Sequence, residues 1–301
     1  MLTVYTKNRS GIFDLSAIVV SARSLFLSFT VTVLMAAGFP VFAAIENEQE
    51  LTLVRAPQSS PVKLYREWKP FVDYLSQRTG AKITLKIFKN REEFEQALVG
   101  GDMDLAFTSP YYYMYLHKKH NFQPLVRSNK EKLTGIIVVQ KNSKIQTLVD
   151  LKNQSIAFPS PNSFAASILI RATLENIGVL SIEPHYVGTH DNVYRHVING
   201  NYVAGGGIMR TFNSEGEALK NNLRIVHETE GFSSHPLSAG TKVSLVLRDA
   251  LIAAVLDLNH SAEGREMLRT VKLQTPVLAN HELDYKKLDQ MDIGRYANFR
   301  F

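Results

Sequence analysis

The stretch Asp102-Met103-Asp104-Leu105-Ala106-Phe107-Thr108-Ser109-Pro110-Tyr111-Tyr112 changes character in its middle. Asp104 to Phe107 reads as a short strand. Ser109-Pro110 then opens a helix running to His117, because a hydroxyl suits the cap position and proline the first helical turn. The same grammar extends in both directions. Upstream, Leu51 to Val54 is a strand, and Ser60-Pro61 opens a helix with apolar residues at Leu64, Tyr65, Trp68, Phe71, Val72 and Leu75, ended by Gly80. Lys82 to Phe88 alternates as a strand, and Arg91 to Val99 is a helix stopped by Gly100-Gly101. Downstream come strands at 136–139, 155–158, 185–187, 203–208 and 223–227, with helices at 163–177 and 191–198 between them. The remainder is mainly helical, at 245–258, 262–271 and 285–290. Strands alternating with helices predict an α/β protein with mainly parallel sheets. Two consecutive blocks of this kind predict two lobes.

Composition bounds the function. The 301 residues are 45% hydrophobic and 21% charged, enough for a large core and incompatible with a disordered chain. There is no cysteine, which excludes a disulfide framework, a thiolate metal site, a cysteine nucleophile and a lipidated cysteine. The net charge of +6 has no long basic run; the densest is Lys118-Lys119 between His117 and His120. Nucleic acid is therefore not the expected partner.

The N-terminus reads as an address. Lys7, Arg9 and Arg23 precede the apolar run Leu25 to Ala37, and Val41-Phe42-Ala43 fits a small-residue cleavage site. Residues 1–43 are expected to be a signal peptide, cleaved after Ala43, giving a free periplasmic protein. Loss of Lys7, Arg9, Arg23 and Asp14 takes the net charge from +6 to +4.

In open α/β sheets ligands sit beyond the carboxyl ends of the strands, where helix N-termini present free N–H groups. Four junctions offer a hydroxyl or imidazole there: Ser59-Ser60-Pro61, Thr108-Ser109-Pro110, Pro159-Ser160-Pro161-Asn162-Ser163 and Gly188-Thr189-His190-Asp191. Each could be an ordinary helix cap, and together they lean toward an anion site. His117 and His120 stand three apart on a helix, but without an evident third ligand they read as a solvated face rather than a metal site. Gly205-Gly206-Gly207 is not a phosphate loop, since no Lys-Ser/Thr follows it. No Gly-x-Ser-x-Gly nucleophile elbow is present.

Three segments carry a family resemblance. Residues 102–112, residues 151–163 (Leu151-Lys152-Asn153-Gln154-Ser155-Ile156-Ala157-Phe158-Pro159-Ser160-Pro161-Asn162-Ser163), and Gly188 to Asp191 with Val197 to Gly205 resemble, in order, motifs of the phosphate, phosphite and phosphonate substrate-binding proteins of ABC transporters. The likeness spans roughly residues 51 to 240. It implies the type II periplasmic binding fold, with a ligand cleft between two lobes and a hinge crossed twice, near 130–133 and 228–232. Lobe 1 would be 44–132 with 230–301, and lobe 2 would be 133–229.

Carried over residue by residue, the resemblance makes Ser163 the first hydroxyl of an anion loop, followed here by Phe164, Ala165 and Ala166 in place of further hydroxyls and a glycine. His190 matches a cleft histidine, and Ser109 and Tyr112 match the first-lobe loop. Where aminophosphonate binders carry an acid for the ligand amine, this chain has Ile208-Met209-Arg210. A cation there disfavours an amine and favours a second anionic group. The expected ligand-binding set is thus Ser60, Ser109, Tyr112, Ser163, His190 and Arg210, with no catalytic residue, metal or cofactor. The implied function is capture of a small phosphonate- or phosphate-like anion by a monomer that delivers it to an ABC permease in the inner membrane. The alternatives are a sensor component partnering a membrane kinase, or an enzyme on the same scaffold.

Overall fold

The computed structural model describes residues 49–58 and 60–298; the signal peptide read at 1–43 lies outside the described residues. Among the described residues there are eleven strands: β1 (Glu50–Arg55), β2 (Lys82–Lys86), β3 (Leu105–Phe107), β4 (Gln123–Ser128), β5 (Gly135–Gln140), β6 (Ser155–Phe158), β7 (Glu183–Tyr186), β8 (Ala204–Ile208), β9 (Leu223–Glu228), β10 (Pro236–Ala239) and β11 (Pro276–Leu278). The helices are α1 (Pro61–Thr79), α2 (Arg91–Gly100), α3 (Pro110–His120), α4 (Ile170–Asn176), α5 (His190–Ile198), α6 (Met209–Asn213), α7 (Glu217–Lys220), α8 (Leu245–Asp257), α9 (Ala262–Thr270) and α10 (His281–Asp284). A π-helical turn, Phe164–Leu169, leads directly into α4.

The strands form two sheets, one in each lobe. The first has the order β11-β4-β10-β3-β1-β2 and the second β7-β6-β8-β5-β9. Parallel ladders join β1 to β2 and β3, and β6 to β7 and β8; the other ladders are antiparallel. The sheets are therefore mixed, where the sequence pattern predicts mainly parallel ones. The reason lies in the crossings. β5 follows β4 across the hinge, and β10 follows β9 back, each without a crossover helix. A parallel connection within one sheet needs such a crossover, and each strand that has just crossed runs against its new neighbours.

Each sheet is covered on both faces. Alternate residues of β1 point opposite ways: Leu51 and Leu53 pack with Trp68, Phe71 and Leu251 of α1 and α8, while Val54 packs with Phe94 and Tyr112 of α2 and α3. In the second sheet Ile137 and Val139 face Ile170 and Leu174, and Ile136 and Val138 face Val193 and Val197. The glycine run lies inside the buried strand β8. A Cβ on Gly206 would stand 2.2 Å from the Ala166 carbonyl oxygen, and one on Gly205 2.5 Å from Val193 Cγ1. Glycine lets helices on both faces approach the strand backbone, which is why the run is there.

The two crossings, residues 129–134 and 229–235, run side by side and pair through Leu133 and Phe232, with reciprocal N–H to O distances of 2.8 and 3.1 Å. The chain end makes a further tie. Asn298 N donates to Asn162 Oδ1 at 2.9 Å, Tyr296 OH donates to Glu175 Oε2 at 2.6 Å, and Arg295 pairs with Glu175 at 3.0 Å. These contacts join the C-terminal segment to the second lobe, although α8, α9 and β11 before it belong to the first.

Candidate ligand cleft

The parallel strands β1, β3, β6 and β7 all end toward the same gap between the lobes, and helices begin there. Local sequence sets those starts. Ser109 takes the extended cap conformation before Pro110, and its Oγ accepts from Tyr112 N at 3.5 Å. Thr189 caps α5 by accepting from Asn192 N at 3.2 Å, which puts His190 in the first helical position. Ser60 caps α1 and accepts from Lys63 N at 3.4 Å, but it is solvent-exposed. Ser163 precedes the π-helical turn and makes no cap hydrogen bond through its side chain.

Across the gap Tyr112 OH donates to Glu95, Arg91 Nη1 donates to Tyr112 OH at 3.4 Å, and Asn162 Nδ2 donates to Glu95 Oε1 at 2.6 Å. Glu95 thus joins a first-lobe tyrosine to a second-lobe asparagine and holds the lobes together. Burial pushes the Tyr112 phenol well above its ordinary value, so it stays a neutral donor. Behind this network the apolar packing is continuous between lobes, from Phe94 and Tyr112 to Phe164, Ala165 and Ile208.

The open polar atoms cluster at the strand ends. Arg55, last residue of β1, is 6% exposed, lies over the Trp68 ring at 5.1 Å, and donates from Nη2 to Gln58 Oε1 at 3.1 Å. Its Nε and Nη1 are buried with no protein partner. The same holds for Thr108 Oγ1, directly after β3, for Ser160 Oγ, after β6, and for His190 Nδ1. Buried polar atoms are rarely left unpaired, because the loss of water is then uncompensated. Other orphans, on Trp68, His120 and His227, lie elsewhere; those on Arg55, Thr108, Ser160 and His190 follow strand ends in both lobes, where a ligand's acceptors belong.

Electrostatics join these groups. Burial pulls Arg55 down to about 10, with Arg210 adding to the shift and Glu67 opposing it; at neutral pH it is still a cation. Burial likewise lowers Arg210, opposed by Glu131, whose Oε1 lies 3.9 Å from Arg210 Nε. His190 falls to about 4, first through burial and then through Arg210 and Arg91, against Asp191. His235, in the return crossing, falls to about 3 through burial, Arg210 and Arg55. Both imidazoles are neutral at pH 7, so each offers one donor and one acceptor.

Of the six residues expected from the sequence, Ser109, Tyr112, Ser163 and His190 stand at helix starts that follow strands, Arg210 follows β8, and Ser60 is exposed at the start of α1. Ser109 and Tyr112 are engaged with the protein itself. Arg210 meets Glu131 from the outgoing crossing. Arg55, Thr108, Ser160 and His235 are absent from the sequence-derived set. One signal pointed to Arg55: it is a charge closing an apolar strand at its carboxyl end, where α/β sheets bind ligands. The His117 and His120 pair does not gather ligands. His117 Nδ1 lies 2.8 Å from the Phe122 carbonyl oxygen and its ring stacks on His281, while His120 packs against Gly101.

Comparison with known proteins agrees with this architecture. The family described as the phosphonate periplasmic substrate-binding protein of ABC transporters matches residues 53–285. Solved structures of similar fold include XAC2383 from Xanthomonas citri bound to chloride, 18% identical, covering 82% of this chain and 98% of that one, with a TM-score of 0.72. PhnD1 from Prochlorococcus marinus in complex with methylphosphonate is 16% identical over 83% of this chain and 98% of that one, with a TM-score of 0.69. A binding-protein component of an ABC phosphonate transporter from Pseudomonas aeruginosa is 14% identical over 82% and 86%, with a TM-score of 0.67. The chain belongs to the periplasmic phosphonate-binding family of ABC transporter components, with the type II binding-protein fold.

Proposed function

We propose that this family member captures a small oxoanion of the phosphonate and phosphate class between its lobes and presents it to an ABC permease. The observation that carries the reading is the set of buried, unpartnered polar atoms on Arg55, Thr108, Ser160 and His190, at strand ends of both lobes. An oxoanion offers several acceptors at once, and charge-assisted donors bind it best. Thr108 and Ser160 hydroxyls and a neutral His190 would donate to its oxygens, while Arg55 and Arg210 balance its charge. Ser163, its hydroxyl not spent on a cap, would join them at the start of the π-helical turn. PhnD1, of similar fold, was crystallised with methylphosphonate, which supports the ligand class.

Residues 133–229 would move as one lobe against 44–132 and 230–301, about the paired crossings at Leu133 and Phe232. A ligand touching both lobes stabilises the closed arrangement by its differential affinity for it. No bond is made or broken in this role. Turnover assays on phosphate and phosphonate esters should return the esters unchanged. Titration calorimetry with methylphosphonate, phosphite and inorganic phosphate tests the reading directly. Saturable binding of at least one, with a smaller radius of gyration by X-ray scattering, is expected. No binding of any of the three would refute it.

A further inference from the structure

Three arginines from separate segments, Arg55, Arg91 and Arg210, act on the buried groups of the cleft. Toward His190 lie Arg91 and, through the Gly188 N to Pro159 O hydrogen bond, the loop that carries Ser160; Arg210 reaches this side as well. At the other end Arg55 lies over Trp68, Trp68 packs on Phe107 at 4.9 Å, and Phe107 stacks on His235 at 5.8 Å. The register holds this row in place: Arg55 is opposite Phe107 in the β1–β3 ladder, and Phe107 is opposite Leu237 in the β3–β10 ladder. Arg210 closes the row from the second lobe. It lines a water-sized cavity of about 10 Å³ with Glu131, Thr134 and Ser234 of the two crossings, and Ser234 adjoins His235.

Arg210 weakens Arg55 and Lys272, and Arg55 weakens Lys272, while Glu67 opposes both shifts and Glu131 opposes that of Arg210. The Arg210–Glu131 contact is long, at 3.9 Å, and Glu131 is itself substantially exposed. Arg55 is nine-tenths buried with two donor nitrogens unmet. A buried guanidinium costs stability unless an anion meets it. A ligand amine placed here would add a further cation.

Resting on the family reading of this cleft, we propose that the ligand is a phosphonate bearing a carboxylate, with the phosphonate at the His190 and Ser160 end and the carboxylate held by Arg55 and Arg210 beside His235. Guanidinium groups suit a planar carboxylate, which can accept from two donors at once. His235, kept neutral, can add an N–H without adding charge. Arg55, Arg210 and His235 then act as specificity residues, discriminating against alkyl and amino phosphonates that present nothing anionic at this end.

The test is titration calorimetry with phosphonoacetate, methylphosphonate and 2-aminoethylphosphonate at one pH and salt concentration. Phosphonoacetate should bind at least about tenfold more tightly than methylphosphonate, and 2-aminoethylphosphonate at least about tenfold more weakly. Arg210→Gln should narrow the preference for phosphonoacetate over methylphosphonate from at least about tenfold to within about threefold, the ratio of the two affinities being the readout whatever happens to methylphosphonate itself. Arg55→Met should do the same; because Arg55 is buried, its thermal unfolding is measured alongside, and the part-exposed Arg210 variant decides the matter if Arg55→Met does not fold. Methylphosphonate binding without preference for phosphonoacetate overturns this inference and leaves the family reading standing. Failure of all three to bind overturns this inference, and failure of phosphite and inorganic phosphate as well overturns the family reading with it.

Discussion

Acidification should destabilise the ligand-free protein because two cleft histidines are folded in their neutral form. His190 titrates at about 4 and His235 at about 3, against 6.5 for an unhindered imidazole. Burial is the leading cause for both, reinforced by Arg210. Below pH 6.5 the unfolded chain binds a proton at each ring and the folded chain does not, so stability falls as pH falls. Each ring costs up to about 1.36 kcal/mol per pH unit in that window. Between pH 7.5 and 5 the loss is about 2 kcal/mol per ring, and it depends little on the folded value so long as that lies below 5. Both rings are partly exposed at the cleft, so solvent screening brings the expected loss for the pair to about 2–4 kcal/mol between pH 7.5 and 5. His227 and His281 are also lowered by burial and act in the same direction. Urea unfolding followed by fluorescence of Trp68, the single tryptophan, measures the effect at pH 7.5, 6 and 5. The double variant His190→Asn, His235→Asn should lose about half or more of the pH dependence. Stability of the parent protein constant to within about 0.5 kcal/mol across that range would refute the reasoning.

Other expectations follow from single contacts. Glu95→Ala severs the bridge between Tyr112 and Asn162; hydrogen bonds to a charged group are worth about 1.5–3 kcal/mol, so the closed arrangement should be less populated and calorimetry should find the anion bound roughly ten- to a hundredfold more weakly. Gly206→Ala drives a methyl group into the Ala166 carbonyl and should cost more than about 3 kcal/mol in urea unfolding, since backbone on one side and Phe158 on the other leave no room to relax. Ser60→Ala removes a surface cap only; thermal unfolding should register about 0.5–1 kcal/mol and calorimetry an unchanged anion affinity. N-terminal sequencing of protein recovered from the periplasm should begin at Ala44, and an intact Met1 would reject the signal-peptide reading.

The sequence by itself determined the alternation of strands and helices, the starts at Ser60-Pro61 and Ser109-Pro110, and the ordered motifs of the family. These are local: a cap, a proline and an apolar period act within one or two turns. It did not disclose β4, β10 and β11. Strands this short, with mixed polar and apolar residues, are created by the neighbours they pair with, and their reversed direction follows from crossings between lobes. Tertiary structure also decided which polar group at each junction is open. At Thr108-Ser109 the helix start fixes Ser109 as the cap, its oxygen turned to Tyr112 N, and leaves Thr108 Oγ1 buried and unmet. A shift of one residue in where the helix begins would exchange those roles, and composition at the junction is the same either way. Arg55 is the clearest case. In the sequence it is a charge at the end of a strand; packed over Trp68, screened from water and facing Arg210 across the lobes, it becomes a cation that needs an anion. That need arises from burial and from two chain segments 155 residues apart, neither of which is a property of the residues beside it.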